Sequence, residues 1–330
     1  MITTRITDLF GLEYPIMSAP MATHCGGTLA AAVSRIGALG SFGGLHPHRG
    51  TDWLLNEIAH IRKATDRPFG IGFITEFIPH LQGFFEAALE SSPAVVAFSF
   101  GNPEPWLTRA KMAGARVMCQ VQCMKDARAA VRAGADVLVA QGNEAGGHTG
   151  RLNLLPWLAQ LVDTFPDVPV MAAGGIANGR TLAGALAAGA DGAWIGTALL
   201  ATPEAVEVSE AHKQRIIQSD GEDTTYTDVF DIVEERLFGM KWPDGVVSRV
   251  YRNPFVEQWH GRADELRTRL DEVAPAYSQA LQHRDPDVIS LPMGQSAAFV
   301  RAVCPAADVV RGICDDAERL LRERSSQLLK

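Results

Sequence analysis

Residues 127–140 read Ala127-Arg128-Ala129-Ala130-Val131-Arg132-Ala133-Gly134-Ala135-Asp136-Val137-Leu138-Val139-Ala140. An alanine-rich helical run stops at a glycine and passes within two residues into a continuous apolar run. The physical reading is a helix ended by a glycine in the left-handed conformation, followed by immediate passage into a strand. The same phrase recurs as Ile36-Gly37-Ala38-Leu39, Ala113-Gly114-Ala115-Arg116 and Ala188-Gly189-Ala190-Asp191. A repeated helix-to-strand unit leads to parallel strands joined by helices.

Working outward, strand candidates are Pro15–Ala19, Ala38–Phe42, Phe69–Phe73, Val95–Phe98, Val117–Val121, Val137–Ala140, Val170–Ala173 and Gly192–Ile195. Most are unbroken apolar runs, as expected of parallel strands covered on both faces. Helical stretches such as Trp53–Lys63, Trp106–Ala113, Leu154–Asp163 and Thr181–Ala188 fall between them. Eight such units in about 200 residues predict an α/β fold of the closed (β/α)₈ TIM-barrel type. A doubly wound open sheet normally carries Gly-x-Gly-x-x-Gly after its first strand, whereas this strand runs into Ala19-Pro20-Met21.

Past Thr197 the texture becomes more polar and less periodic, with Tyr226, Phe230, Phe238, Trp242, Tyr251, Phe255 and Trp259. Residues 263–282 and 306–329 have the spacing of amphipathic helices, and Pro286, Pro292 and Gly294 mark a connector between them. The expected organisation is a barrel of residues 1–202 plus 296–330. A smaller, mainly helical substrate or lid domain of residues 203–295 is inserted after the eighth strand. Trp242, Arg249, Arg252, Asn253 and Trp259 form a dense cluster in this insertion, expected to face the barrel mouth.

The formal charge of −8 and the lack of a Lys/Arg run argue against a nucleic-acid or anionic-membrane partner. The five cysteines are scattered rather than paired, which fits buried thiols in a reducing compartment. The N-terminus lacks a basic-then-apolar leader, and no apolar run is long enough to span a bilayer. A cytoplasmic protein, monomer or homodimer, is expected. No His-x-x-x-His or His-Glu-x-x-His pattern occurs, so no metal is expected, and Ser18 lacks the Gly-x-Ser-x-Gly setting of a hydrolase nucleophile.

Three strand exits carry the chemistry. The sixth leads into Gln141-Gly142-Asn143-Glu144-Ala145-Gly146-Gly147-His148-Thr149-Gly150, read as a glycine-rich turn that aims one histidine at a ligand lying on bare backbone. The seventh leads into Gly174-Gly175-Ile176-Ala177-Asn178, and the eighth into Gly196-Thr197. In barrel enzymes this last pair of loops commonly cradles a phosphate with backbone N–H groups. Asn178 is placed to cap the following helix. A phosphate there, with a flat shelf at Gly146-Gly147, suits flavin mononucleotide (FMN). The amides of Gln120 and Gln141 end strands five and six, within reach of its ring edge or ribityl chain.

In combination these stretches, with Pro15-Ile16-Met17 and Ile195-Gly196-Thr197, resemble the nitronate monooxygenase family, formerly the 2-nitropropane dioxygenases, over roughly residues 5–205. The likeness extends to FMN-dependent enoyl-ACP reductase II and to NADH:quinone reductases. The resemblance implies an FMN-dependent (β/α)₈ oxidoreductase with a smaller substrate domain. It places the family histidine on His148 and the phosphate loops on Gly174, Gly175, Gly196 and Thr197. It places first-strand flavin contacts on Pro20, Met21 and Ala22. Gly72 and Gln120 stand at further flavin-facing positions, where relatives often carry asparagine and lysine. The implied substrates are a small nitronate, or a nitroalkane deprotonated by His148, and O₂; the products are a carbonyl compound and nitrite. An imidazole ordinarily titrates near neutrality and so serves as a general base. Glu144 is the runner-up acid–base residue. The alternative on the same scaffold is an NAD(P)H-dependent FMN reductase of a quinone or enoyl thioester. From another class, a flavin-free barrel acting on a sugar phosphate lacks the strand-end lysine that a Schiff-base aldolase needs.

Overall fold

The computed structural model describes residues 1–329. Eleven strands are present among them: β1 (Ile16–Ser18), β2 (Gly40–Gly43), β3 (Phe69–Ile74), β4 (Val95–Ser99), β5 (Arg116–Val121), β6 (Val137–Gln141), β7 (Gly147–Thr149), β8 (Val170–Ala173), β9 (Gly192–Ile195), β10 (Thr224–Thr227) and β11 (Val247–Tyr251). Eight form one parallel sheet in the order β1-β9-β8-β6-β5-β4-β3-β2. The parallel bridge Met17↔Leu39 joins its two ends and closes the barrel. Each predicted strand is present, with ends shifted by a residue or two.

The repeated helix-to-strand phrase has the conformation its glycines suggested. Gly37, Gly114, Gly134 and Gly189 all have φ between 87° and 96°. In two copies the aspartate that follows has a further task. Asp136 Oδ2 accepts the N–H of Val117 at 2.8 Å, and Asp191 Oδ2 accepts that of Val170 at 2.9 Å. Each carboxylate thus pins the start of its own strand to the start of the neighbouring one. Arg5, on the helix Arg5–Phe10 beneath the barrel, grips Asp191 with two bonds of 2.8 and 2.7 Å.

The barrel interior holds Met17, Leu39, Val95, Ala97, Met118, Val137, Val139, Met171 and Trp194, closed from below by Ile6. A larger apolar layer separates the strands from the surrounding helices. The long helix Ala306–Leu328 packs back against the helix Gly179–Ala187. Residues 229–281 carry a separate core built on Phe230, Val233, Val250, Phe255, Trp259 and Tyr277. The region after β9 is mostly helical but includes β10 and β11, which form an antiparallel sheet with β7 in the order β10-β11-β7.

That sheet corrects one sequence expectation. The segment carrying His148 is not only a turn: Gly147–Thr149 is an edge strand, paired with Val247–Arg249 about 100 residues later. Nothing local announces it, because the partner strand that satisfies its backbone lies in another part of the chain. Among the described residues, no helix is long and apolar enough to cross a membrane. Cys119 is buried and its thiol is pushed up to about 12 by desolvation, whereas Cys123 is half-buried.

Candidate active site

At the C-terminal ends of the strands lies a cavity of about 720 Å³. Its wall includes His148 and every residue expected to contact the flavin: Pro20, Met21, Ala22, Gly72, Gln120, Gln141, Gly146, Gly147, Gly174, Gly175, Gly196 and Thr197. His24, His46 and His48 line it as well. The other wall comes from the inserted region and includes Glu234, Phe238, Trp242, Ser248, Tyr277 and Arg284.

The barrel side is shaped by backbone. A Cβ on Gly72 would come within 2.3 Å of the Pro20 ring, and one on Gly146 within 2.5 Å of Gly294 N. Gly174 and Gly175 have φ of 104° and 71°. Among the described residues, the N–H groups of Gly175 and Ile176 meet no acceptor in the chain, although Ile176 is buried. Buried N–H groups without partners are rare, and a concave run of them suits an anion. Asn178 Oδ1 accepts the N–H of Thr181 at 3.0 Å, capping the next helix as expected. The Thr197 hydroxyl accepts from Gly294 N at 2.9 Å, so this loop is also tied to the segment returning from the insertion. Thr23 and Phe100, both on the cavity wall, hold left-handed backbones (φ 63° and 59°) that side chains seldom adopt outside functional sites.

The two glutamines divide. Gln120 has no hydrogen-bond partner among the described residues and faces the cavity. Gln141 is engaged internally: its amide donates to the His148 carbonyl at 2.9 Å, and its oxygen accepts from Gln122 Nε2 at 2.9 Å. It therefore holds the backbone of the histidine. Glu144 does not stand as an acid–base group. Both its oxygens accept the N–H of Leu154 at 3.1 Å, capping the helix Leu154–Thr164.

His148 is fixed from three directions. Register pairs it with Ser248 across the small sheet. Its ring stacks on Trp242, with centroids 3.4 Å apart and planes 13° from parallel. Its Nε2 lies 2.7 Å from Asp231 Oδ1, on the helix Val229–Phe238. A carboxylate accepts, so Nε2 carries the hydrogen and Nδ1 is left with the free lone pair. Asp231 was not foreseen from the sequence. The only signal was its spacing of three from Glu234 on a helix whose Phe230 and Val233 face a core.

Of the aromatic and basic cluster in the insertion, only Trp242 reaches the cavity. Arg249 binds the Asn143 carbonyl at 2.7 Å, Asn253 is buried and caps the helix Pro254–Trp259, and Trp259 lies in the second core. Their roles are to build the insertion and to dock it.

His24 and His46, and His212 behind them, are pushed toward the neutral form. Burial, with the charge of Arg49 and the neighbouring His48, brings His46 down to about 4. Burial lowers His24, and behind it burial and His24 bring His212 down to about 3. Glu234 moves the other way: burial and the like charge of Asp231 raise it to about 7, against the opposing effects of Tyr277 and His148. Among the described residues there is no group of three or more side chains arranged for a metal ion.

With this geometry in place, comparison with known proteins is informative. The sequence profile of the family described as nitronate monooxygenase matches residues 3–80 and 81–316. A probable nitronate monooxygenase of Staphylococcus aureus (strain Newman) is 27% identical over an alignment 369 positions long, gaps included, covering 96% of this chain and 98% of that one. FabK from Thermotoga maritima superposes with a TM-score of 0.87 at 30% identity, covering 99% of this chain and 100% of that chain. The nitroalkane oxidase of Streptomyces ansochromogenes gives 0.79 at 29% identity, covering 97% and 99%.

Proposed function

The chain belongs to the nitronate monooxygenase family, and from that premise we propose that it is an FMN-dependent enzyme that oxidises alkyl nitronates, and nitroalkanes through them, with O₂ to a carbonyl compound and nitrite. The observation that carries this reading is His148 on the wall of a cavity that the glycine strand exits also line, with Asp231 behind it, 2.7 Å from Nε2.

The residues present fit the cofactor. Gly175 and Ile176 offer free N–H groups to a phosphate, with Gly174, Gly196 and Thr197 beside them. Gly72, Gly146 and Gly147 leave room for a flat ring, and Gln120 offers an unpaired amide to its edge. Bound FMN supplies the electron acceptor and the reactivity toward O₂.

The protein's own part is proton chemistry. With Nε2–H donated to Asp231, Nδ1 of His148 takes the proton from the carbon next to the nitro group. The positive charge that forms on the ring is balanced by Asp231. Trp242 fixes the plane of the ring. Arg49 and Arg284 line the cavity, and neither makes an ion pair among the described residues, which suits an anionic substrate.

The test is H148N. It should retain FMN and lose about 10²- to 10⁴-fold of its turnover of neutral nitroalkane. Undiminished turnover refutes His148 as the base. A colourless protein that takes up no FMN refutes the whole reading.

A second reading, an NAD(P)H-dependent FMN reductase of a quinone or enoyl thioester, is favoured by the closer superposition on FabK. Anaerobic bleaching of the flavin by NADH or NADPH alone would select it, with His148 then donating a proton.

A further inference from the structure

The helix Val229–Phe238 carries two carboxylates, Asp231 and Glu234, three residues apart and therefore on one face. Asp231 is used by His148. Glu234 lies on the cavity wall, and its Oε1 accepts the hydroxyl of Tyr277, from the helix Leu270–His283, at 2.7 Å. Among the described residues, Oε2 has no hydrogen-bond partner. We propose that Glu234, held by Tyr277, is a catalytic hydrogen-bond donor to the oxyanion that forms on the substrate as His148 removes a C–H proton.

The inference rests on His148 as the proton acceptor. As Nδ1 takes the proton, the electron pair of the C–H bond shifts onto an oxygen of the adjoining nitro group. That oxygen gains negative charge and needs a donor. Glu234 in its acid form donates Oε2–H and keeps its proton, while the abstracted proton stays on His148. No further reactant is required.

A carboxyl that only locked two helices together would be a costly choice, because a buried carboxylate without a cation is penalised. The groups facing Glu234 are Tyr277 from the neighbouring helix, His148 from β7 and Asp231 from its own helix. None is a lysine or arginine. Burial and the charge of Asp231 keep a substantial fraction of Glu234 protonated at neutral pH, up to about 7. A neutral carboxylic acid aimed at a developing oxyanion is a known catalytic device in other enzymes.

The experiment combines infrared difference spectroscopy with kinetics on the FMN-loaded protein. The carboxylic-acid C=O band should fade as pH rises through about 7 and be missing in E234Q. In Y277F it should persist to higher pH, because the phenol that favours the carboxylate is gone. E234L should lose about 10²- to 10³-fold in the rate of flavin reduction by nitroethane. E234Q, whose amide donates at every pH, should keep most of that rate and lose the alkaline decline. A band that E234Q leaves unchanged, or an FMN-loaded E234L with the wild-type rate on nitroethane, overturns the proposal. Failure to bind FMN, or undiminished turnover in H148N, would instead count against the reading on which this proposal rests, and neither depends on Glu234.

Discussion

The two walls of the cavity are made of different materials. The barrel wall includes a stretch of backbone, small side chains and an amide, Pro20, Gly72, Gly146, Gly174, Gly175 and Gln120, beside larger groups such as Phe73, Phe100, Trp194 and Arg49. The wall from residues 203–295 is aromatic and ionisable: Glu234, Trp242, Tyr277 and Arg284, with Asp231 behind His148. The barrel provides shape and unpaired N–H groups. The insertion decides where protons and charges sit. The same scaffold therefore serves different chemistries by changing what covers it.

The largest effect should come from uncoupling the two walls. Ser248 lies opposite His148 on β11, the middle strand of the small sheet, and proline there removes a ladder donor. S248P should cost about 3 kcal/mol of stability and, by releasing the His148 strand, on the order of 10²-fold in turnover. Denaturant melts and nitroethane assays check both. Wild-type turnover in a folded S248P would mean that the barrel loop alone sets the histidine.

The barrel wall breaks sterically. Gly146→Ala places a methyl 2.5 Å from Gly294 N and should cost about 1–3 kcal/mol and weaken FMN retention. Gly184→Ala, with nothing within 4 Å on the outer helix Gly179–Ala187, should be neutral or stabilising by about 0.5–1 kcal/mol. Equal flavin content in the two variants would refute a close approach at Gly146.

Acid should loosen the seam between the walls. The His212 ring donates its Nε2–H to the Pro292 carbonyl, 3.1 Å away, its one side-chain hydrogen bond among the described residues, and sits edge-on to His24. Its folded value, about 3, lies below the unfolded value of 6.5. The unfolded chain therefore binds the proton first. Stability is complete above about 6.5 and falls as pH drops toward about 3, by roughly 2 kcal/mol already near pH 5. H212Q should flatten that slope in melts from pH 7 to about 5; an unchanged slope excludes this histidine as the source. A smaller effect is expected of Asn178→Ala, which removes a helix cap and should cost about 1 kcal/mol with turnover intact.

These contrasts also show what a sequence can and cannot display. The barrel was legible because its signals are local: the left-handed glycines after alanine-rich helices, and the unbroken apolar strands such as Val137–Ala140. The glycine exits were legible for the same reason, since their glycines act through local backbone shape. Asp231, Glu234 and the β7–β11 pairing were not, because their meaning depends on contacts between residues 43 to about 100 positions apart. Arg249 and Trp259 misled in the other direction: functional residue types close in sequence proved to be scaffolding.

The most direct test of a barrel histidine aligned by an aspartate of the insertion is anaerobic flavin reduction in D231N, comparing nitroethane with preformed ethyl nitronate. The account predicts a loss of about 10²-fold with nitroethane, where a proton must be removed, and little change with the nitronate. Equal losses on both substrates, or none on either, would contradict it.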